Sequence, residues 1–363
     1  MKTTNLESAA VVLAGCLFLL AGCTNGTTNR TKNNDMNELN LTREWDKKFP
    51  QSDKVNHRKV TFENRYGITL AADLYEPRSA EGKLAAIAVS GPFGAVKEQA
   101  SGLYAQTMAE RGFVTLAFDP SYTGESGGEP RNTASPDINT EDFSAAVDFL
   151  TTLPEVDAGR IGIIGICGFG GMGLNAAAMD SRIRATVAST MYDMSRVNAN
   201  GYFDLADSAA DRDSLRMKLA RQRTEDFRNG VPALGGGVPD VLPDDAPAFL
   251  RDYHAYYKTP RGYHKRSLNS NGGRNVTSPI PWINAPLMSR AGEIGNAVMI
   301  VHGEKAHSFY FGSDAYKKLT VTPGKDNNKL FMTIPGASHT DLYDRKDIIP
   351  FNAIQRFFEE YLK

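Results

Sequence analysis

RIGIIGICGFGGMG, residues 160–173, is the stretch that decides the fold. Ile161, Ile163, Ile164 and Ile166 form a run too continuously apolar to leave one face wet. It reads as a strand buried on both sides, which is the habit of a parallel sheet. The run passes without a linker through Gly165, Cys167, Gly168, Gly170 and Gly171 into a helical segment. A strand that turns sharply into a helix needs small residues, because the backbones approach closely at the corner. A thiol held there sits where a nucleophile is presented, and the helix N–H groups behind it favour a thiolate and a developing oxyanion.

The flanks repeat the pattern. Residues 57–77 alternate as a hairpin around Tyr66-Gly67, LAAIAVSG at 84–91 is a buried strand, and a helix is expected over 97–111. FVTLAFDP at 113–120 is the next strand, 139–153 an amphipathic helix ended by Pro154, and IRATVAST at 183–190 another strand. Later come AVMIVHGE at 297–304, a helix near 313–319, KLFMTIPG at 329–336 and a closing helix from Pro350 to Leu362. Strands alternating with helices predict an α/β class with a mostly parallel sheet and helices on both faces. Residues 194–296 break the rhythm. So long a stretch between two strands must have its own structure, and it reads as a mostly helical cap over the C-terminal edge of the sheet.

The chain has 363 residues, with 41 Lys and Arg against 42 Asp and Glu, a net charge of −1. It is long enough for a full core. With no basic block it is not built to hold nucleic acid, and a single apolar run at the N-terminus excludes a polytopic membrane protein. That run, Ala9 to Gly22, has the length of a signal-peptide core and ends in Leu20-Ala21-Gly22-Cys23. The ending resembles the bacterial lipoprotein processing box. The resemblance implies a removed signal peptide over 1–22, a lipid on Cys23 that ties the protein to the membrane, and residence in the cell envelope. Residues 23–55 are rich in Asn, Thr, Lys and Asp without an apolar period, and read as a flexible tether to a domain over 56–363. Cys167 is then the remaining thiol apart from Cys23, and a single thiol cannot form an internal disulfide.

The set GPFGAVKEQASGLYAQTMAERGF, FDPSYTGESGGEPR, VDAGRIGIIGICGFGGMG, YYKTPRGYH and PGASHTDLYD resembles the α/β-hydrolase superfamily. More specifically it is similar to bacterial dienelactone-hydrolase-like proteins and their polyketide-thiohydrolase relatives. The resemblance covers about residue 57 to the end. It implies an eight-stranded α/β-hydrolase sheet with an inserted cap, and it sets Cys167 at the nucleophile position. The pattern usually has Gly where this chain has Phe169, and many relatives have Ser there. The alternative for Cys167 is therefore a buried packing residue.

The same resemblance implies a base in the loop after the last strand, which is His339 in Pro335-Gly336-Ala337-Ser338-His339-Thr340-Asp341. The usual place for the acid, three residues past Gly303, is occupied by Ala306. Glu304 is the nearest carboxylate in that loop and Asp193, after the strand at 183–190, is the alternative. The oxyanion hole is expected from the N–H of Gly168 and from Ser90-Gly91-Pro92-Phe93-Gly94. Pro92 has no N–H, so Phe93 or Gly94 is the donor.

Gly124-Glu125-Ser126-Gly127-Gly128 follows a non-central strand and reads as a pocket-shaping loop. The glycines of 168–173 lack the context of a dinucleotide fingerprint, and the scattered histidines give no metal-ligand spacing. The expectation is a cofactor-free, metal-free hydrolase of small-molecule ester, thioester or lactone substrates with a Cys-His-acid mechanism. Two rivals stand beside it: a non-catalytic binding lipoprotein on a hydrolase scaffold, and an X-Pro-type peptidase, which would need a Ser nucleophile and an acidic subsite. Tyr253, Tyr256, Tyr257 and Tyr263 suggest an aromatic pocket in the cap, and core packing explains them equally well.

Overall fold

The computed structural model describes residues 39–363 apart from 80, 323, 325 and 326. The expected signal peptide and Cys23 lie outside the described residues. β1 (Val55–Glu63) and β2 (Thr69–Pro77) form the hairpin, followed by β3 (Leu84–Ser90), α1 (Ala100–Ala109), β4 (Val114–Phe118), α2 (Pro136–Thr151), β5 (Val156–Ile166), α3 (Gly168–Met179) and β6 (Ile183–Ser189). The insertion holds α4 (Met194–Asn200), α5 (Ala209–Asn229), β7 (Leu234–Gly235), α6 (Ala248–Tyr257), β8 (Arg274–Asn275) and α7 (Pro279–Trp282). The chain then closes with β9 (Ala297–Gly303), α8 (Phe309–Leu319), β10 (Lys329–Ile334), α9 (Asp341–Asp344) and α10 (Phe351–Tyr361).

The sheet has eight strands in the order β1-β2-β4-β3-β5-β6-β9-β10. Only β1–β2 and β2–β4 pair antiparallel, and the remaining neighbours are parallel. The central strands are buried on both faces, which is why their sequences are apolar without alternation. Gly162 backs onto the ring of Phe358 in α10, while its neighbour Ile163 meets Gly173 of α3. Successive residues of a strand point to opposite faces, so α10 and α3 cover different sides of the sheet. Tyr104 of α1 joins Phe351 of α10 at 5.0 Å, and Phe143 of α2 joins Phe169 of α3 at 6.0 Å.

Part of the stretch expected as a tether over 23–55 is within the described residues. Residues 39–54 lie on the domain. Phe49 is buried, and Trp45 packs edge-on against it while donating from Nε1 to the Phe49 carbonyl at 2.8 Å. Lys47 Nζ reaches Asp73 Oδ2 of β2 at 2.7 Å. This segment is held by two aromatic anchors and an ion pair rather than by a helix or strand, so it carries no period for a sequence to display.

A buried ionic cluster ties this segment, the sheet edge and the cap together. Lys97 Nζ lies 2.8 Å from Glu98 Oε1, 2.8 Å from Asp119 Oδ2 and 2.6 Å from Glu125 Oε2. Arg266 of the cap pairs with Asp46 and Glu98, each at 2.8 Å. The Gly-rich loop containing Glu125 and Ser126 thus belongs to this brace: Ser126 Oγ donates to the Asp119 carbonyl at 2.6 Å.

Candidate active site

The corner between β5 and α3 is made by Cys167, whose backbone sits at φ 57°, ψ −123°. A non-glycine residue takes that conformation only when its surroundings enforce it. Here they do: Cys167 N–H donates to the Ser189 carbonyl at 2.9 Å, and its own carbonyl accepts from Gly170 and Tyr192. A side chain at Gly165 would lie 2.0 Å from the Phe169 carbonyl, and one at Gly91 2.3 Å from the Ile166 carbonyl. Glycine is therefore required on both sides of the corner. Phe169 is two residues further along, and its ring points into the core against Phe143. A side chain at position 169 is thus turned into the core, away from the cavity that Cys167 lines.

The Cys167 sulfur faces the backbone N–H groups of Gly168 and Phe93 and the hydroxyls of Tyr343 and Tyr253. Burial pushes the thiol pKa up, and these donors only partly offset it. In the loop after β3, the Phe93 N–H faces the sulfur. Gly94 is turned toward the cap, where its carbonyl accepts from Asn269 N–H at 3.1 Å and from Ser267 Oγ at 2.9 Å. Asn269 Nδ2 in turn donates to the Phe93 carbonyl at 2.8 Å and pins the loop.

His339 lies between β10 and α9 and is almost completely buried. Its Nδ1 meets the hydroxyls of Ser308 at 2.5 Å and Thr190 at 2.9 Å. Its Nε2, the nitrogen that would take a proton from the nucleophile, is met by Tyr343 Oη at 2.9 Å. Neither expected carboxylate reaches the ring. Glu304 is exposed at the end of β9 and accepts from the Gly336 N–H at 2.7 Å, bracing the turn after β10. Asp193 caps α4, accepting from Arg196 N–H at 3.0 Å and from Ser195 Oγ at 2.5 Å. The place of an orienting acid is filled by two neutral hydroxyls from two different loops. Burial, with His307 and His302 nearby, holds His339 well below the usual imidazole range. Thiol and imidazole are therefore both neutral near pH 7, and the Tyr343 hydroxyl lies between them.

Above the corner is a cavity of about 390 Å³. Cys167 and Tyr343 line it, whereas His339 does not. Tyr253 and Tyr257 of α6 and Tyr202 form aromatic walls, and Arg274 lies on the cap side with Phe93 below it at 5.1 Å from the ring centroid. Of the cap tyrosines marked in the sequence, Tyr256 packs under the cap against Tyr343 and Tyr263 is exposed. Among the described residues, no carboxylate lines the cavity. The sequence reading passed over Tyr343, Arg274, Ser308 and Thr190. Only Tyr343 carried a usable signal, since it follows His339 by four residues, the spacing of one helical turn.

The model of the X-Pro dipeptidyl-peptidase (S15) family matches residues 66–325. An uncharacterized protein of Pseudomonas aeruginosa is 55% identical over 97% of this chain and 94% of its own. A crystal structure of a Pseudomonas aeruginosa hypothetical protein, 57% identical, superposes with a TM-score of 0.85 and covers 90% of this chain and 99% of that one. The uncharacterized protein YcjY of Escherichia coli is 36% identical over 84% of this chain and 99% of its own length. A thiohydrolase of Eupenicillium brefeldianum is 34% identical over 39% of this chain and 44% of its own. The α/β hydrolase GrgF of a Penicillium species, at 20% identity and covering 85% of this chain and 99% of that one, shares the fold with a TM-score of 0.67. With the family match running from the hairpin to beyond α8, the chain belongs to the X-Pro dipeptidyl-peptidase (S15) family and is an α/β hydrolase by fold.

Proposed function

We propose that the protein is a cysteine-dependent hydrolase of thioesters, esters or lactones. One observation carries the reading: a thiol at a strained strand-to-helix corner, with two backbone N–H groups aimed at its sulfur beneath an aromatic cavity. In the mechanism, the Cys167 proton passes to Tyr343 Oη while the Tyr343 proton passes to His339 Nε2. The sulfur attacks the carbonyl carbon, and the Gly168 and Phe93 N–H groups hold the oxyanion. Collapse expels the alcohol or thiol, which takes its proton back along the same path. Water then attacks the acyl-enzyme, delivers its proton to the relay, and frees the acid and the thiol. The thiohydrolase name of one relative supports the thioester as a substrate class. An X-Pro dipeptide amine would need an acidic subsite, and the cavity wall offers a guanidinium instead.

The deciding experiment is hydrolysis of 4-nitrophenyl acetate and of an acyl thioester by the domain from residue 39 onward. It is run beside Cys167→Ala and His339→Ala. The expected result is turnover by the wild type and loss by orders of magnitude in both variants. Equal activity in Cys167→Ala would overturn the reading. No turnover of either substrate would favour a binding protein, for which the missing acid beside His339 is the supporting observation. We also propose that a lipid on Cys23 holds the domain at the cell envelope. Incorporation of labelled palmitate into the full-length chain, lost in Cys23→Ala, is the expected result, and an unlabelled wild type would refute it.

A further inference from the structure

Arg274 is the cation of the cavity, and it has no anion. β8 delivers it: Gly235 and Arg274 are register partners in the two-stranded ribbon of the cap. Asn275 Nδ2 donates to Thr133 Oγ1 at 2.9 Å, which fixes the ribbon over the loop after β4. The guanidinium lies above the Phe93 ring, 5.1 Å from its centroid, so it stands over the residue whose N–H faces the nucleophile. Tyr192 and Tyr202 are its polar neighbours. Among the described residues it makes no ion pair and no hydrogen bond. Two other arginines of the cap are paired: Arg266 holds Asp46 and Glu98, and Arg261 holds Asp344. A half-buried guanidinium without a partner is unfavourable in the free protein, and burial already presses its pKa down. Such a charge is retained where a ligand completes it.

Resting on the hydrolase reading above, we propose that the substrate carries a carboxylate that pairs with Arg274 while its acyl carbon sits over Cys167. A guanidinium fork matches a planar carboxylate through two parallel hydrogen bonds. A single negative charge is what one cation balances. A phosphate dianion would leave excess charge in a cavity whose other walls are aromatic, aliphatic and amide.

The test compares matched 4-nitrophenyl esters: the neutral valerate and the monoester of glutarate, whose carboxylate is on the acyl side. A third ester, 4-acetoxybenzoate beside phenyl acetate, puts the carboxylate on the leaving group. The expected result is a kcat/KM roughly 10- to 100-fold higher for the carboxylated member of one pair. That ratio falls toward one in Arg274→Gln, is partly kept in Arg274→Lys, and shrinks with added salt. Whichever pair shows it identifies the side of the scissile bond that Arg274 reads. No preference in either pair, or a ratio unchanged in Arg274→Gln, overturns the proposal. A second measurement does not depend on turnover: the monoanion monomethyl glutarate is titrated by calorimetry into Cys167→Ala and into Cys167→Ala with Arg274→Gln. Binding lost with the arginine supports the anion subsite even if no ester is cleaved, in which case only the hydrolase reading fails. Turnover of neutral esters with no arginine-dependent monomethyl glutarate binding leaves the hydrolase and removes the subsite.

Discussion

Tyr343→Phe isolates the most unusual element of the site. The hydroxyl is 2.9 Å from His339 Nε2 and within hydrogen-bonding reach of the Cys167 sulfur, and its removal leaves the aromatic ring in place. The folding cost is that of one buried hydroxyl, about 1 kcal/mol, so the variant remains folded. The chemical cost is larger, because the thiol loses the group through which its proton reaches the imidazole. General acid–base transfer contributes about 10²- to 10⁴-fold, and kcat/KM for a 4-nitrophenyl ester is expected to fall by that factor. Alkylation of Cys167 by iodoacetamide separates chemistry from packing. Burial raises the thiol pKa and depresses that of His339. The wild-type alkylation rate should therefore climb about tenfold per pH unit through pH 8, with no plateau near neutrality. Tyr343→Phe removes a donor that favours the thiolate, so its curve moves to still higher pH. The reasoning is refuted if Tyr343→Phe hydrolyses the ester within about threefold of wild type, or if wild-type alkylation is already flat near pH 6–7 as for a thiolate–imidazolium pair.

Three further outcomes follow from the same geometry. Ser308→Asp sets a carboxylate where the hydroxyl now touches His339 Nδ1; by stabilising the imidazolium it raises the His339 pKa, so the acid limb of the pH–rate profile, where the base must be neutral, should move up by about one to three units, and an unmoved limb would show that Nδ1 does not control the imidazole. Phe169→Ser supplies the hydroxyl that many relatives carry, but inside the core: calorimetry should report about 3–5 kcal/mol of lost stability, and activity surviving in Phe169→Ser with Cys167→Ala would contradict the assignment of the corner. Lys97→Met removes the ion-pair partner of buried Asp119 and takes one of several cations from Glu98 and Glu125, and should cost about 3–5 kcal/mol in urea unfolding. In the wild type, burial pushes Glu125 up, but Lys97 and Lys59 outweigh it and hold it at about 2, and Glu98 is lowered in the same way by Lys97 and Arg266. Depressed carboxylates stabilise above their unfolded pKa of about 4.5, and that contribution drains away as the pH falls toward 2. Thermal melts should show this acid loss in wild type and a weaker one in Lys97→Met.

The sheet was readable because each central strand, buried on both faces, is an uninterrupted apolar run bounded by turns. The corner was readable because an apolar strand runs straight into the small residues Gly165, Gly168 and Gly170 around Cys167. His339 was readable from its place after the last strand. The partners of His339 Nδ1 were not, since the count from Gly303 ends on Ala306 and the nearby carboxylates, Glu304 and Asp193, are engaged elsewhere. Both hold backbone N–H groups instead, one at a turn and one at a helix cap, the commonest employment of an acidic residue at a strand end. The groups that do touch His339 are hydroxyls from residues 190 and 308, and a lone Ser or Thr in a loop carries no mark of its tertiary partner. Residues 39–54 and Arg274 escaped for a related reason: their roles rest on charges brought together by the fold, which no local period encodes.

Replacing the acid with hydroxyls changes the demand on the nucleophile. A carboxylate at Nδ1 would stabilise the imidazolium and let a serine give up its proton at neutral pH. Thr190 and Ser308 orient the ring without offering that charge. A serine, far less acidic than a thiol, would be stranded beside so weak a base, whereas a thiol needs less help. The thiol at 167 and the missing acid are therefore mutually consistent. On the proposed mechanism, the combination would favour acyl groups with good leaving groups, thioesters above all, over unactivated amides. A Cys167→Ser variant should accordingly lose more activity on an alkyl ester than on a thioester, and equal losses on the two would break the link between the weak base and the choice of nucleophile.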